Sequence, residues 1–152
     1  MPAYVMSKID WCNSLLYGVP DCQLRRLQMV ENCAARVIVR APRRCHITPV
    51  LSELHWLPVR QRVEYKVLLL TYKAKHGLAP SYLSDMLVPY VPGRPLRSAE
   101  SDLLVVPVTK LKTYGGRAFS TAAPSLWNKL PSNVKAACSV DIFKKLLKTH
   151  LF

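Results

Sequence analysis

Apolar positions recur every three to four residues over most of this chain, a period that predicts helices rather than strands. The longest such segment runs from about Val59 to His76. At about 100° per residue, Val59, Val63, Val67, Leu70 and Ala74 share one narrow sector, and Tyr65, Leu68, Leu69, Tyr72 and His76 fall largely opposite. A helix with two apolar faces is expected inside a domain, with Arg62, Lys66 and Lys73 on the strip left for solvent or a ligand. Pro58 marks its start, where a missing N–H costs nothing, and Gly77 followed by Pro80 marks its end.

The same reasoning places the other elements. Ser7 to Leu16 is predicted as a first helix, capped by Ser7, with Ile9, Cys12, Leu15 and Leu16 inward and Gly18 and Pro20 as its stop. Asp21 to Val39 is predicted as a second, with Leu24, Leu27, Val30, Ala34, Val37 and Ile38 on the core side and Arg25, Asn32 and Arg36 opposite. Thr48-Pro49 reads as cap and first turn of a short helix through Leu54, after which His55-Trp56-Leu57 turns the chain. Pro80 opens another short helix, PSYLSDML. In the last third, Leu103 to Val106 is a β-branched run stopped by Pro107, and Lys110 to Tyr114 is its expected hairpin partner. Ala118 to Leu130 is predicted as a helix bent or restarted at Pro124. Ser139 caps a final helix with Ile142, Phe143, Leu146 and Leu147 inward and Lys144, Lys145 and Lys148 outward. The fold class expected is mainly α: a compact bundle of short and medium helices with at most one small β-hairpin in the C-terminal half. Residues 1–88 form a helical segment, 89–102 a proline-rich link and 103–152 a small C-terminal segment of hairpin plus helices.

Charge turns this fold prediction toward function. Lys and Arg number 22 against 9 Asp and Glu, for a formal charge of +13, which attracts polyanions, nucleic acid first. The densest basic stretch is RVIVRAPRRCH, where Arg36, Arg40, Arg43 and Arg44 run from the second helix into the following loop. A solvated helix face would use the same residues. Arg25, Arg36, Arg40, Arg43, Arg44, Arg62, Lys66 and Lys73 are the candidate phosphate contacts, without sequence preference. Trp11, Trp56, Tyr65, Tyr72 and Trp127 could stack on bases, although Trp56, Tyr65 and Trp127 fit core positions better. Enzyme chemistry has little to work with. The acids are scattered, with Glu100 and Asp102 as one close pair in a polar loop, and Gly115-Gly116 lacks the Lys-Ser/Thr of a phosphate-cradling loop. Cys45 beside His46, with His55 further on, is a poor nucleophile pair because neighbours on an extended segment point apart. Cys33, Cys45, His46 and His55 lack the spacing of a structural zinc site. No metal, no cofactor and no small-molecule substrate is expected. The apolar runs are too short for a membrane span, the first residues lack the pattern of a secretory signal, and five Cys without paired spacing suit a reducing compartment. An intracellular location, nuclear or cytoplasmic, follows as the expectation.

Several blocks, in order, also carry a family resemblance: IDWCNSLLYGVP, LQMVENCAARVI, ITPVLSELHWLPVRQRVEYK, YKAKHGLAPSYLSDML, LRSAESDLLVVP, GGRAFSTAAPSLWNKLP and FKKLLKTHLF. Together, from about Ser7 to Phe152, they resemble the C-terminal region of reverse transcriptases from non-LTR, LINE-type retrotransposons of the jockey and chicken-repeat kind. In that family these blocks lie downstream of the polymerase palm, as thumb and C-terminal segment. The resemblance implies a thumb-like residue 1–88 segment and a C-terminal fragment of an RNA-directed DNA polymerase. Such a fragment would hold an RNA template, DNA or an RNA–DNA hybrid beside a palm domain supplied separately. The Tyr-x-Asp-Asp signature of the palm is missing from the sequence, so no polymerase activity is expected of this chain. Two other readings use the same residues: a protein-interaction or structural fragment, and a translated transposon relic with no activity of its own.

Overall fold

The structure, a computed structural model, describes residues 2–93 and 102–152. Among these the chain is mainly helical, and no strand forms. The helices are α1 (Pro2–Asp10), α2 (Asp21–Val39), α3 (Ile47–Glu53), α4 (Val59–Lys75), α5 (Ser81–Ser84), α6 (Lys112–Gly115), α7 (Phe119–Trp127), α8 (Ser132–Lys135) and α9 (Val140–Leu151), with a 3-10 turn at Asn13–Leu16. They fall into two compact units, Met1–Glu64 with Leu151–Phe152, and Tyr65–His150. The division lies inside α4 and not at the proline-rich 89–102 link, of which residues 94–101 fall outside the described residues. Glu100 lies outside them too.

In the first unit, Ala35 of α2 packs on Val50 and Leu51 of α3, with Val39, Ala41, Ile47, Leu54 and Trp56 around them. Three helices end by one device. Each places a residue with positive φ just past its last turn: Arg40 (54°) after α2, His55 (53°) after α3 and Gly77 (67°) after α4. The next N–H then reaches back to a carbonyl five residues earlier, from Ala41 to Arg36, Trp56 to Leu51 and Leu78 to Lys73. Gly77 takes this conformation freely, whereas Arg40 and His55 carry a Cβ against it.

Two expectations for the first unit are corrected. The first helix ends at Asp10, because Cys12 turns left-handed and the chain continues as the 3-10 turn, leaving Cys12 and Leu15 exposed and Ile9 buried. The second helix is rotated from its predicted orientation: Glu31 and Ala35 are buried, while Val30 and Val37 face solvent. The pattern misled because the side chain taken inward at this point is a charged one.

In the second unit the core is aromatic. Tyr72 and Phe143 stack with ring centroids 4.2 Å apart, and Trp127 lies 6.1 Å from Phe143. The buried hydroxyl of Tyr72 donates to the Ala137 carbonyl at 2.8 Å, and Trp127 Nε1 donates to the Asp102 carbonyl at 2.8 Å. The Lys75 ammonium lies 4.5 Å from the Trp127 ring centre and pairs with Asp102. The predicted hairpin is replaced by a single antiparallel bridge between Leu104 and Pro89, flanked by Tyr90 N–H to Leu103 O and Val105 N–H to Val88 O. Lys110 to Tyr114 cannot pair there, since Lys112–Gly115 is helical. The other edge of Leu104 is taken by the side-chain amide of Asn128, whose Oδ1 accepts from Leu104 N–H at 2.9 Å and whose Nδ2 donates to Leu104 O at 2.8 Å. Pro124 lies inside a single continuous α7, and Ser139 Oγ caps α9 by accepting from Ile142 N–H at 3.3 Å.

Two outcomes follow. His55→Gly relieves a left-handed residue at an exposed position and is expected to raise the unfolding free energy by about 1 kcal/mol in urea titration. Phe143→Ala removes the ring between Tyr72 and Trp127 and is expected to cost about 3–5 kcal/mol by the same measurement.

Candidate nucleic-acid interface

The charges of the first unit are sorted by one network. Glu31 on α2 is fully buried, and Arg62 on α4 brings its Nε to 2.9 Å from Glu31 Oε1. The Nη1 of Arg62 donates to both carboxylate oxygens of Asp10 on α1 at 3.0 Å, and its Nε also donates to the Leu57 carbonyl at 2.7 Å. Gln28, one turn before Glu31, donates to Glu31 Oε2 and to Asn32 Oδ1, both at 2.9 Å. The Gln28 side-chain oxygen, Oε1, accepts from the Val59 N–H at 2.8 Å, which satisfies one of the unpaired donors at the start of α4. Arg62 is therefore committed. Expected as a phosphate contact on the solvent strip, it is 15% exposed and bound to two carboxylates, so it leaves the candidate set.

Burial pushes the Glu31 carboxyl above the ordinary glutamate range; Arg62 and the Gln28 hydrogen bond pull it back only in part, and the like charge of Asp10 adds to the rise.

Elsewhere in the unit, Asp21 pairs with Arg60. With Asp10, Asp21 and Glu31 engaged, Arg25, Arg26, Arg40, Arg43 and Arg44 are exposed and have no ion-pair partner among the described residues. Arg36, Arg40 and Arg43 line one open depression of about 500 Å³ together with Cys33, Val37 and Ala41. The Arg36 Nε is buried and finds no acceptor in the protein, and Nη2 makes one long contact of 3.5 Å to the Cys45 carbonyl. Three arginines around one open depression, with no carboxylate among its lining residues, are suited to an anion's oxygens.

The sequence candidates thus separate. Arg36, Arg40 and Arg43 come together, and Arg44 adjoins them in the chain. Arg25 lies eleven residues earlier on α2, about 16 Å along its axis, in a smaller depression with Arg60 and Gln28. Lys66 and Lys73 are half-buried residues of the second unit. Of the aromatic candidates, Trp127 and Tyr72 are core, and Trp56 and Tyr65 are half-buried. Trp11 stands apart at 78% exposure, lining a small depression with Ser7 and Lys8. The Lys8 ammonium lies 5.5 Å from the Tyr4 ring centre, a pairing the sequence reading missed because it began the first helix at Ser7.

Among the described residues no group of three or more His, Cys, Asp and Glu converges as a metal site would require, and no helix is long and apolar enough to cross a membrane. Comparison of the chain with protein-family models, with curated proteins and with solved structures finds no match.

The raised Glu31 pKa sets a sign for pH dependence. The folded state binds the proton more tightly, so this contribution is fully present below the unfolded value near ~4.3 and is lost as pH rises through the higher folded value. In urea titrations at a series of pH values, the stability of the wild type relative to Glu31→Gln is expected to fall as pH rises from about 4 toward neutrality.

Proposed function

We propose that this chain is a non-catalytic module that holds RNA, DNA or an RNA–DNA hybrid by its phosphates, without reading sequence. The observation that carries this reading is the cluster of Arg36, Arg40 and Arg43 on one depression, with no acid among its lining residues. Guanidinium groups around a polyanion release counterions, which gives affinity that is large at low salt and insensitive to base sequence. The resemblance to the region downstream of the palm in LINE-type reverse transcriptases points the same way, with the RNA–DNA hybrid as the preferred ligand and the chemistry supplied by a palm domain. Five free, exposed cysteines support a reducing, intracellular setting.

A second reading, as a protein-interaction piece, is favoured by a different observation: Met29, Val30 and Val37 of α2 are largely exposed to solvent. The two readings use neighbouring parts of one helix.

Fluorescence anisotropy with a labelled RNA–DNA hybrid across a salt series separates them. Submicromolar binding at low salt is expected, with log affinity falling linearly against log salt. Replacing Arg36, Arg40 and Arg43 together by Ala should flatten that slope by roughly 3, at ~0.9 per lost phosphate contact. No binding at low salt by the folded chain, or an unchanged slope in the triple variant, would overturn the reading.

A further inference from the structure

The outward face of α2 offers something besides charge. Met29, Val30, Cys33 and Val37 recur on that face at spacings of three and four residues, and all are exposed; Val37 is 76% so. Arg26 lies one turn before them on the helix, and Arg40, the left-handed residue just past its end, shares the depression with Val37, giving a stripe roughly 20 Å long with an apolar middle and a cation at each end. Its C-terminal part opens into the 500 Å³ depression beside Val37. An apolar row at this spacing on a helix is the pattern that receives a second helix, through side chains interdigitating along the row.

Charge decides what covers it. A second copy of α2 laid antiparallel would set Arg26 of one chain against Arg40 of the other, and a parallel copy would set each arginine against itself. Either arrangement brings like charges together at both ends of the contact. A nucleic-acid strand would satisfy the arginines but leave the apolar row in water. We infer that the Arg26–Arg40 stripe of α2 is a docking surface for an amphipathic helix of a partner protein, with apolar residues at three- and four-residue spacing and carboxylates at both ends. This inference rests on the protein-interaction reading and not on phosphate binding; the two uses share Cys33, Val37 and Arg40 and compete for them.

The test is anisotropy titration of the full chain against a labelled synthetic helical peptide with Leu at three- and four-residue spacing and Glu at both ends. Controls are the same peptide with Lys in place of Glu and a scrambled peptide. Saturable binding on the order of 10 μM is expected, lost by tenfold or more in Val37→Asp and, separately, in Met29→Asp, and in the Lys-ended peptide. Both positions are exposed, and circular dichroism melting is expected to be unchanged in either variant, so lost binding is not lost folding. Equal binding of the scrambled or Lys-ended peptide, or no saturation, would overturn the inference. So would sedimentation showing a dimer that Val37→Asp dissolves, which would assign the stripe to a second copy. Cross-linking of RNA to Met29 or Val37 without peptide binding would assign it to nucleic acid. Hybrid binding measured in the Met29→Asp chain keeps this result separate from the phosphate reading, since Met29 lies outside the depression and that variant retains Arg36, Arg40 and Arg43.

Discussion

A carboxylate with no exposure, Glu31, is tolerable inside a protein only when its charge and its lone pairs are met from several sides. Here Arg62 and Gln28 meet them, and each of those side chains is then used a second time. Arg62 reaches on to Asp10 and the Leu57 carbonyl, and Gln28 turns its oxygen to the first N–H of α4. One buried charge thereby fixes the relative placement of α1, α2 and the start of α4. Removing Arg62 would leave the buried Glu31 without its counter-charge, a far larger loss than a surface ion pair causes. The rest of the first unit, including which face of α2 looks outward, follows from this constraint.

That constraint also explains where the sequence was legible and where it was not. Helix existence was readable at α2, α4 and α9, because long periodic segments and proline or glycine boundaries agree there. The terminus at Gly77 was readable from its residue type, but the same left-handed turn at Arg40 and His55 was not, since neither residue advertises it. The orientation of α2 was misread because Val30 and Val37 outscore Glu31 on hydrophobicity. Only the distant Arg62, thirty-one residues on, makes burial of Glu31 affordable. The bridge at Leu104 was missed for a related reason, as its partners Pro89 and Asn128 lie far away in sequence.

The candidate site was legible in part, and the division is physical. Arg36, Arg40 and Arg43 gather because a helix end and the loop after it bring close neighbours in sequence close in space. Arg62 looked equivalent on a helical wheel, yet a wheel carries no information about which carboxylates lie opposite. Three acids of the first unit, Asp10, Asp21 and Glu31, pair with Arg60 and Arg62, so its excess positive charge is not spread evenly. It gathers on the exposed side of α2 and in the loop beyond.

The amide of Asn128 stands in for a neighbouring strand, offering one donor and one acceptor to the backbone of Leu104. Because both contacts are to main-chain atoms, they fix which end of the amide is nitrogen. That gives the segment a chemical clock. Hydrolysis of this amide to a carboxylate, the ordinary ageing reaction of asparagine, exchanges the donor for a second acceptor. The Leu104 carbonyl would then face a negatively charged oxygen where it now receives a hydrogen bond. A change of one heavy atom would thus set a repulsion against Leu104 and leave its segment to the Trp127–Asp102 contact and the bridge to Pro89.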